Sequence, residues 1–381
     1  MNNTYRPPSI KQAFLAFLLA CLILGTAFII ASTCTISPLC DWMAAQAKVD
    51  TSDMADLVIA YDSRIFLRPL QVILQVFLYL IPFFHSGNFA AVFLTILFAS
   101  LTAGLILQAA QHAGLRPAFA WMLFAIYLTS PALLTAVLSA SGVTIPLFFL
   151  GLVFLHLLTW QGNQFWLALV WIGLGASLAV LAQFSTLFFL ILPVLAALVI
   201  AYRRMPENVY YAENALWIML TPLLYVFLVR FFFGYVLEGD PFAFYHLEYG
   251  FAGAAVAKQA LAVPVLPRLA GFFSDALTDI WLTNPAFIIL SALALLLTLI
   301  KRKVFPVVYL LVLWTPLLLL RSASQSGFYN PDAILANLLV LASQLLVVVI
   351  AGLFNKQRWF ALLPSLLLLA MWNGLNWVLI L

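Results

Sequence analysis

The residues best suited to chemistry in this chain form two groups of charged side chains. The first group follows the first apolar stretch and combines five carboxylates with two guanidinium groups, namely Asp41, Asp50, Asp53, Asp56, Asp62, Arg64 and Arg68. A carboxylate can act as a general base or a metal ligand, and a guanidinium can hold a phosphate through two hydrogen bonds. The group therefore suits a substrate that carries a phosphate; the alternative is a solvated loop with ordinary surface charges.

The second group lies at Glu238–Glu248 and mixes acidic residues with His246 and aromatic side chains. Asp240 precedes Pro241, which predicts a turn. Phe242, Phe244, Tyr245 and Tyr249 are typical of residues at the lipid headgroup level. The group is either a second contact to substrate or an aromatic belt that only anchors the loop.

Other signals for chemistry are weak. The chain has no HExxH, Walker A or Cys-x-x-Cys motif, and its three cysteines give no zinc pattern, although a divalent metal stays open. Cys34 and Cys40 could form a small disulfide loop in an oxidising compartment. Gly173-Leu174-Gly175 lies in an apolar stretch, which favours close helix packing over phosphate binding. Arg230 either snorkels or meets a structural partner, or it binds an anionic headgroup.

The composition places these groups in a membrane protein. Of 381 residues, 66% are hydrophobic and only 8% are charged, far from the composition of a soluble globule. Disorder, nucleic-acid binding and a soluble enzyme are excluded on this ground. The first apolar stretch is too long for a removable signal peptide and is expected to be an anchor.

Hydropathy predicts twelve apolar stretches, each a candidate transmembrane helix. They cover residues 13–33, 69–84, 89–110, 117–138, 145–159, 164–180, 184–201, 214–236, 283–300, 304–320, 334–354 and 359–380. The weakest is 69–84, which is short, contains Gln71 and Gln75 and has a proline near each end. This stretch is predicted to lie at, or dip into, the membrane surface.

The distribution of basic residues favours eleven spans. With a cytoplasmic N-terminus and 69–84 not crossing, ten of the seventeen Lys and Arg residues fall inside and six fall outside. If 69–84 crosses, Arg203-Arg204 and the Lys301–Lys303 run move outside. The same assignment puts eleven of the thirteen acidic residues outside, although they were not used to make it. We therefore expect polar chemistry in the extracytoplasmic loops.

The order of features resembles the GT-C superfamily of polytopic glycosyltransferases, which use polyprenyl-phosphate or dolichyl-phosphate sugars. One span, an acidic loop, Arg68-Pro69-Leu70 and an apolar helix are similar to the start of lipid A aminoarabinose transferases and protein O-mannosyltransferases. Leu101–Arg116, Thr129-Ser130-Pro131, Leu138–Gly142 and Gly239–Pro241 continue the resemblance. It implies an all-α polytopic protein with about eleven transmembrane helices and juxtamembrane helices in the loop at 34–88. Residues 1–250 would form the GT-C-like module, and 251–381 a further loop and the C-terminal helices.

The resemblance implies a transferase in a bacterial inner membrane that moves a sugar from a polyprenyl-phosphate donor to an extracytoplasmic acceptor. Asp41 would be the general base and Arg68 the clamp on the lipid phosphate, with Arg64, Glu238, Asp240 and His246 as further substrate-binding candidates. Members of the GT-C superfamily often carry an acidic residue where this chain has Val143-Thr144. In this chain, Asp240 or Glu238 would take the role of that residue. The alternative is a non-catalytic accessory subunit of a membrane complex. Residues 251–381 show no chemical constellation.

Overall fold

The computed structural model describes residues 10–33, 68–84, 89–159, 165–204, 209–242, 274–278, 280–282, 284–300, 314, 317–318, 333–354 and 363–380. Every regular element in these residues is a helix, so the predicted all-α class is confirmed for the part of the chain described. The α-helices are α1 (Ile10–Thr33), α2 (Pro69–Tyr79), α3 (Phe89–His112), α4 (Pro117–Leu128), α5 (Pro131–Leu138), α6 (Thr144–Thr159), α7 (Phe165–Ala182), α8 (Leu187–Arg204), α9 (Val209–Glu238), α10 (Pro285–Ile300), α11 (Ala333–Phe354) and α12 (Leu363–Ile380).

These helices follow the predicted apolar stretches closely, except that the stretch at 304–320 lies almost wholly outside the described residues. Among the described residues, three segments are long and apolar enough to cross a membrane, namely Lys11–Ala31, Phe89–His112 and Glu213–Val236. Two pairs of helices bent at a short break raise that number to as many as five. In one pair, α4 and α5 meet at 49° around Thr129-Ser130. These apolar helices are compatible with a membrane protein.

The outer surfaces of α1 and α9 are apolar. Leu22 and Ile29 of α1 are more than half exposed, as are Leu228 and Phe232 of α9. Such continuous apolar surfaces are rare on soluble monomers and mark contact with lipid or another protein.

Helix α2 is short and has its polar side inward. It begins at Pro69, where the fixed φ of proline favours a first helical residue. Gln75 is 3% exposed, whereas Phe77 is 63% exposed on the outer side. Eleven residues span about 16 Å, roughly half of a hydrocarbon core. The prediction that the 69–84 stretch does not cross stays a prediction.

Helices α1 and α3 are antiparallel neighbours. The Gln111 amide near the end of α3 donates a hydrogen bond to Gln12 Oε1 near the start of α1, at 2.6 Å. Gly104 lets the backbones approach, because a Cβ there would lie 3.3 Å from the Ala13 carbonyl oxygen. Since α1 begins beside the last turns of α3 and packs along it, the two helices run in opposite directions.

The pair Gly173 and Gly175 confirms the predicted helix packing. A Cβ on Gly173 would lie 3.0 Å from the Ile218 carbonyl oxygen of α9. A Cβ on Gly175 would lie 3.0 Å from Val153 Cγ2 of α6. The two glycines thus allow α7 to approach a different neighbour on each side.

The C-terminal helices pack on the N-terminal ones. α11 contacts α3 and α5, and α12 contacts α4 and α5. Buried side chains from both regions, such as Leu133 and Leu338, belong to one apolar core. The division at residue 250 falls outside the described residues and stays a prediction.

Candidate functional site

The Arg68–Gln71 segment connects the first loop to α2. Arg68 immediately precedes the helix, and its carbonyl oxygen accepts a hydrogen bond from Val72 N at 3.2 Å. Its half-buried guanidinium is held near the N-terminus of α2, an end that favours negative charge. Burial raises the pKa of the Tyr79 phenol at the other end of α2, so Tyr79 is neutral at physiological pH.

A tight turn at Ser139–Gly142 ends α5. Ser141 N donates to the Ala136 carbonyl at 3.2 Å and Ala140 N to the Val137 carbonyl at 3.2 Å, which is the Schellman pattern of helix termination. Ala140 has φ +49° and Gly142 has φ +67°, both in the left-handed region. Alanine there is strained by about 1 kcal/mol, and such strain persists only where the surroundings hold it.

The Arg68–Gln71 segment docks on this turn. The Arg68 guanidinium donates a hydrogen bond to the Ser141 carbonyl oxygen. The Gln71 amide occupies the space where a side chain at position 142 would begin. Two segments singled out in the sequence, more than seventy residues apart, are therefore in direct contact.

Thr144 has a structural role. Thr144 is fully buried, and its hydroxyl donates to the Thr95 carbonyl oxygen of α3 at 3.0 Å. The side chain at this position therefore ties α6 to α3.

Asp240 stabilises a turn after α9. Gly239 has φ +68°, and the chain folds back so that a Cβ on Gly234 would lie 2.8 Å from the Asp240 carbonyl oxygen. Asp240 Oδ1 accepts a hydrogen bond from Phe242 N at 2.9 Å, the geometry of an Asx turn. The turn predicted from Asp240-Pro241 is present, and this carboxylate oxygen takes part in it. Glu238 ends α9, and its side chain is not described.

The remaining candidates, Asp41, Arg64 and His246, lie outside the described residues, as do Cys34 and Cys40. Where the chain is described, no group of three or more His, Cys, Asp or Glu side chains could hold a metal ion.

Arg230 has structural partners inside the helix bundle. It is 4% exposed, and its Nη2 donates to the Val180 and Leu181 carbonyl oxygens at 2.8 and 3.1 Å. These carbonyls belong to the last turn of α7, where the helix has no donors of its own. The guanidinium also lies 5.8 Å from the centre of the Phe184 ring. The structure thus favours the structural reading of Arg230 over headgroup binding.

We expect Arg230→Met to lower the stability of the protein. Each carbonyl oxygen left without its donor costs about 1–3 kcal/mol, while relief of the buried charge offsets part of the loss. A net loss of about 2 kcal/mol would appear as a lower Tm in thermal unfolding of the detergent-solubilised protein. The Tm of Arg230→Lys should lie between those of the wild type and Arg230→Met. An unchanged Tm in Arg230→Met would contradict the role of Arg230 in capping α7.

A polar cavity of about 280 Å³ lies where the α4–α5 break meets α10, α11 and α12. We call it the amide cavity, because five of its twelve lining residues are Asn or Gln, namely Asn284, Asn337, Gln344, Asn373 and Asn376. Ser130, Thr135 and Trp372 also line it. Ser130 is 4% exposed and Gln344 is 2% exposed, so part of this polar surface is deeply buried.

Some polar side chains that line the amide cavity are hydrogen-bonded within the protein, and others are not. Gln344 donates to Asn284 Oδ1 at 2.5 Å, and Asn373 donates to Thr129 Oγ1 at 3.0 Å. The buried indole N–H of Trp372 has no hydrogen-bond partner within the described residues. An unsatisfied buried donor of this kind costs about 1–3 kcal/mol.

This cavity was not predicted from the sequence, because the described residues that line it carry no charge. Residues 251–381 do contribute a constellation, made of neutral amides. Asn337 and Gln344 share one face of α11, and Asn373 and Asn376 share one face of α12. Amides at helical spacing in apolar helices were the available signal. A second signal was a polar residue followed by a proline at the start of a helix, as in Ser130-Pro131 and Asn284-Pro285.

No protein-family model, curated protein or solved structure matches this chain.

Proposed function

We propose that this chain is an integral-membrane glycosyltransferase that moves a sugar from a polyprenyl-phosphate donor to an extracytoplasmic acceptor. The observation that carries the proposal is the docking of the Arg68–Gln71 segment on the Ser139–Gly142 turn. It places a guanidinium at the start of a helix whose outer side is apolar. A lipid phosphate has this pairing of an anionic head with an apolar chain.

The proposal includes eleven spans in a bacterial inner membrane, with the N-terminus in the cytoplasm. Two features of the packing support this topology. α1 and α3 are antiparallel, as expected if α2 between them does not cross. α7 and α9 are parallel, since Gly173 meets Ile218 and Val180 meets Arg230, and helices separated by a single crossing must be parallel.

The proposed reaction is a direct displacement at the sugar. The acceptor oxygen or nitrogen forms a bond to the anomeric carbon, and the bond from that carbon to the phosphate oxygen breaks. The phosphate leaves with the electron pair and is stabilised by Arg68. Asp41 takes the proton of the acceptor hydroxyl or amine. Arg64, Glu238, Asp240 and His246 are the other candidate contacts to substrate.

The second candidate function is a non-catalytic accessory subunit of a membrane complex. The buried Thr144 hydroxyl favours it, because it replaces an acid with a structural contact. An accessory subunit needs neither a lipid phosphate at Arg68 nor a base at Asp41.

Native mass spectrometry of the gently extracted protein, with Arg68→Ala as the variant, tests the proposal. We expect a polyprenyl phosphate to co-purify with the wild type and its occupancy to fall roughly tenfold or more in the variant, since a charged hydrogen bond contributes about 1.5–3 kcal/mol. Arg116→Ala is the matched control: Arg116 also precedes a proline at a helix start, but it lies on the cytoplasmic side of the proposed topology. A stoichiometric protein assembly without such a lipid would favour the accessory subunit.

A further inference from the structure

We propose that the amide cavity is a binding site for a neutral, hydroxyl-rich ligand, namely a single sugar ring. The assignment does not rest on the transferase proposal, because it concerns different residues. The cavity begins at Ser130, before the first residue of α5, whereas Arg68 contacts Ser141 beyond the last one. Thr135 is the last residue of α5 that lines the cavity, and six residues, or about 9 Å at the rise of a helix, separate it from Ser141.

The lining chemistry matches hydroxyl groups. A hydroxyl both donates and accepts a hydrogen bond, and an amide side chain offers two donors and one acceptor oxygen. The side chains of Asn337 and Asn376 make no hydrogen bond within the described part of the chain, so their full capacity is open to a ligand. Trp372 adds an aromatic ring, on which the apolar C–H face of a sugar can pack.

The same lining disfavours other ligands. The twelve lining residues known from the described part of the chain carry no charge. An ion would lose its hydration there without a counter-charge, which is costly. A lipid chain would bury the amide side chains of Asn337 and Asn376 without hydrogen bonds, which is costly for the same reason.

The size of the cavity limits the ligand to about one ring. Its volume of about 280 Å³ lies just below the range of roughly 300–1,000 Å³ that is usual for small-molecule pockets. Several walls are fixed before a ligand enters, because Gln344 is bonded to Asn284 and Asn373 to Thr129. A preformed pocket loses less entropy on binding.

The test measures binding of neutral methyl glycosides to the full chain by saturation-transfer NMR. The protein is held in phosphatidylcholine nanodiscs, because a maltoside detergent would itself present sugar rings. The panel is methyl glucoside, methyl galactoside, methyl mannoside and methyl N-acetylglucosaminide. Glucose 6-phosphate and cyclohexanol serve as charged and apolar comparisons.

We expect at least one methyl glycoside to bind, with a dissociation constant on the order of 1 mM, and neither comparison compound to bind as well. The Asn337→Leu/Asn376→Leu double variant should weaken that binding at least tenfold. Gln111→Leu is the matched control, since it removes an amide between α1 and α3, and it should leave binding unchanged. Elution volume and circular dichroism check that each variant folds.

The source of the sugar is tested by comparing the butyl glycoside of the sugar that binds with its methyl glycoside. Tighter binding of the butyl form indicates a sugar delivered on a lipid, and equal binding indicates a free sugar; both support the site. The proposal is overturned if no methyl glycoside binds the wild type, or if the phosphate or cyclohexanol binds better. Binding that survives in the folded double variant also overturns it. Each of these outcomes is independent of Arg68.

Discussion

Replacing Gly142 with alanine is expected to lower the free energy of unfolding by about 2–3 kcal/mol. The left-handed φ of +67° costs an alanine roughly 1–2 kcal/mol. The new Cβ would also overlap with the Gln71 amide, which is the far end of a flexible side chain and can move at a cost of about 1 kcal/mol, the lower end for overpacking. The measurement is thermal unfolding of the solubilised protein.

Two controls separate these contributions. Gly239 has a nearly identical φ of +68° but nothing within 4 Å of its would-be Cβ, so Gly239→Ala measures the backbone strain alone. Gln71→Ala removes the overlapping amide, so the Gly142→Ala/Gln71→Ala double variant should recover part of the loss. Strictly additive effects of the two substitutions would show that α2 does not dock on the turn.

The same variants connect stability to the proposed function. Gly142→Ala should also displace the Arg68–Gln71 segment and reduce lipid-phosphate occupancy, although Arg68 itself is unchanged. Gly239→Ala should leave that occupancy at the wild-type level. This comparison separates the effect of the position of Arg68 on lipid-phosphate occupancy from the effect of its charge.

The sequence predicted the helices well, because each must satisfy its backbone within itself and be apolar over its length. α3 was predicted at 89–110 and is observed at Phe89–His112. The short length of α2 agrees with a stretch weakened by Gln71, Gln75 and two prolines. The close packing at Gly173 and Gly175 was also predicted, because small residues in an apolar helix have few other uses.

The contacts between distant segments could not be predicted from local pattern. Nothing in the spacing of Arg68 and Ser141 indicates that the guanidinium bonds that particular carbonyl. The amide cavity needs the Thr129-Ser130 break, α5, the residue before α10, α11 and α12 to meet, and its five amides come one from Asn284 and two each from α11 and α12. It was not predicted because amides are neutral. The predicted roles of Asp41, Arg64 and His246 fall outside the described residues and stay predictions.

Gly173→Leu is expected to have the largest effect on folding. Its Cβ would stand 3.0 Å from both the Ile218 carbonyl oxygen and Met219 Cα, which are backbone atoms that no side-chain rotation can move. The remaining atoms of leucine would force α7 and α9 apart. We expect a loss of more than about 3 kcal/mol, at the upper end for overpacking, seen as aggregation in size-exclusion chromatography or a much lower Tm.

Gly374→Leu in α12 is the matched control, because a Cβ there meets nothing within 4 Å. It should be neutral or slightly stabilising, since leucine favours a helix over glycine by roughly 0.8 kcal/mol. Separation of α7 and α9 at Gly173 should also weaken the Arg230 contact with Val180 farther along the same pair. Gly173→Leu and Arg230→Met should therefore be less than additive in the double variant, whereas full additivity would mean that the two contacts act independently.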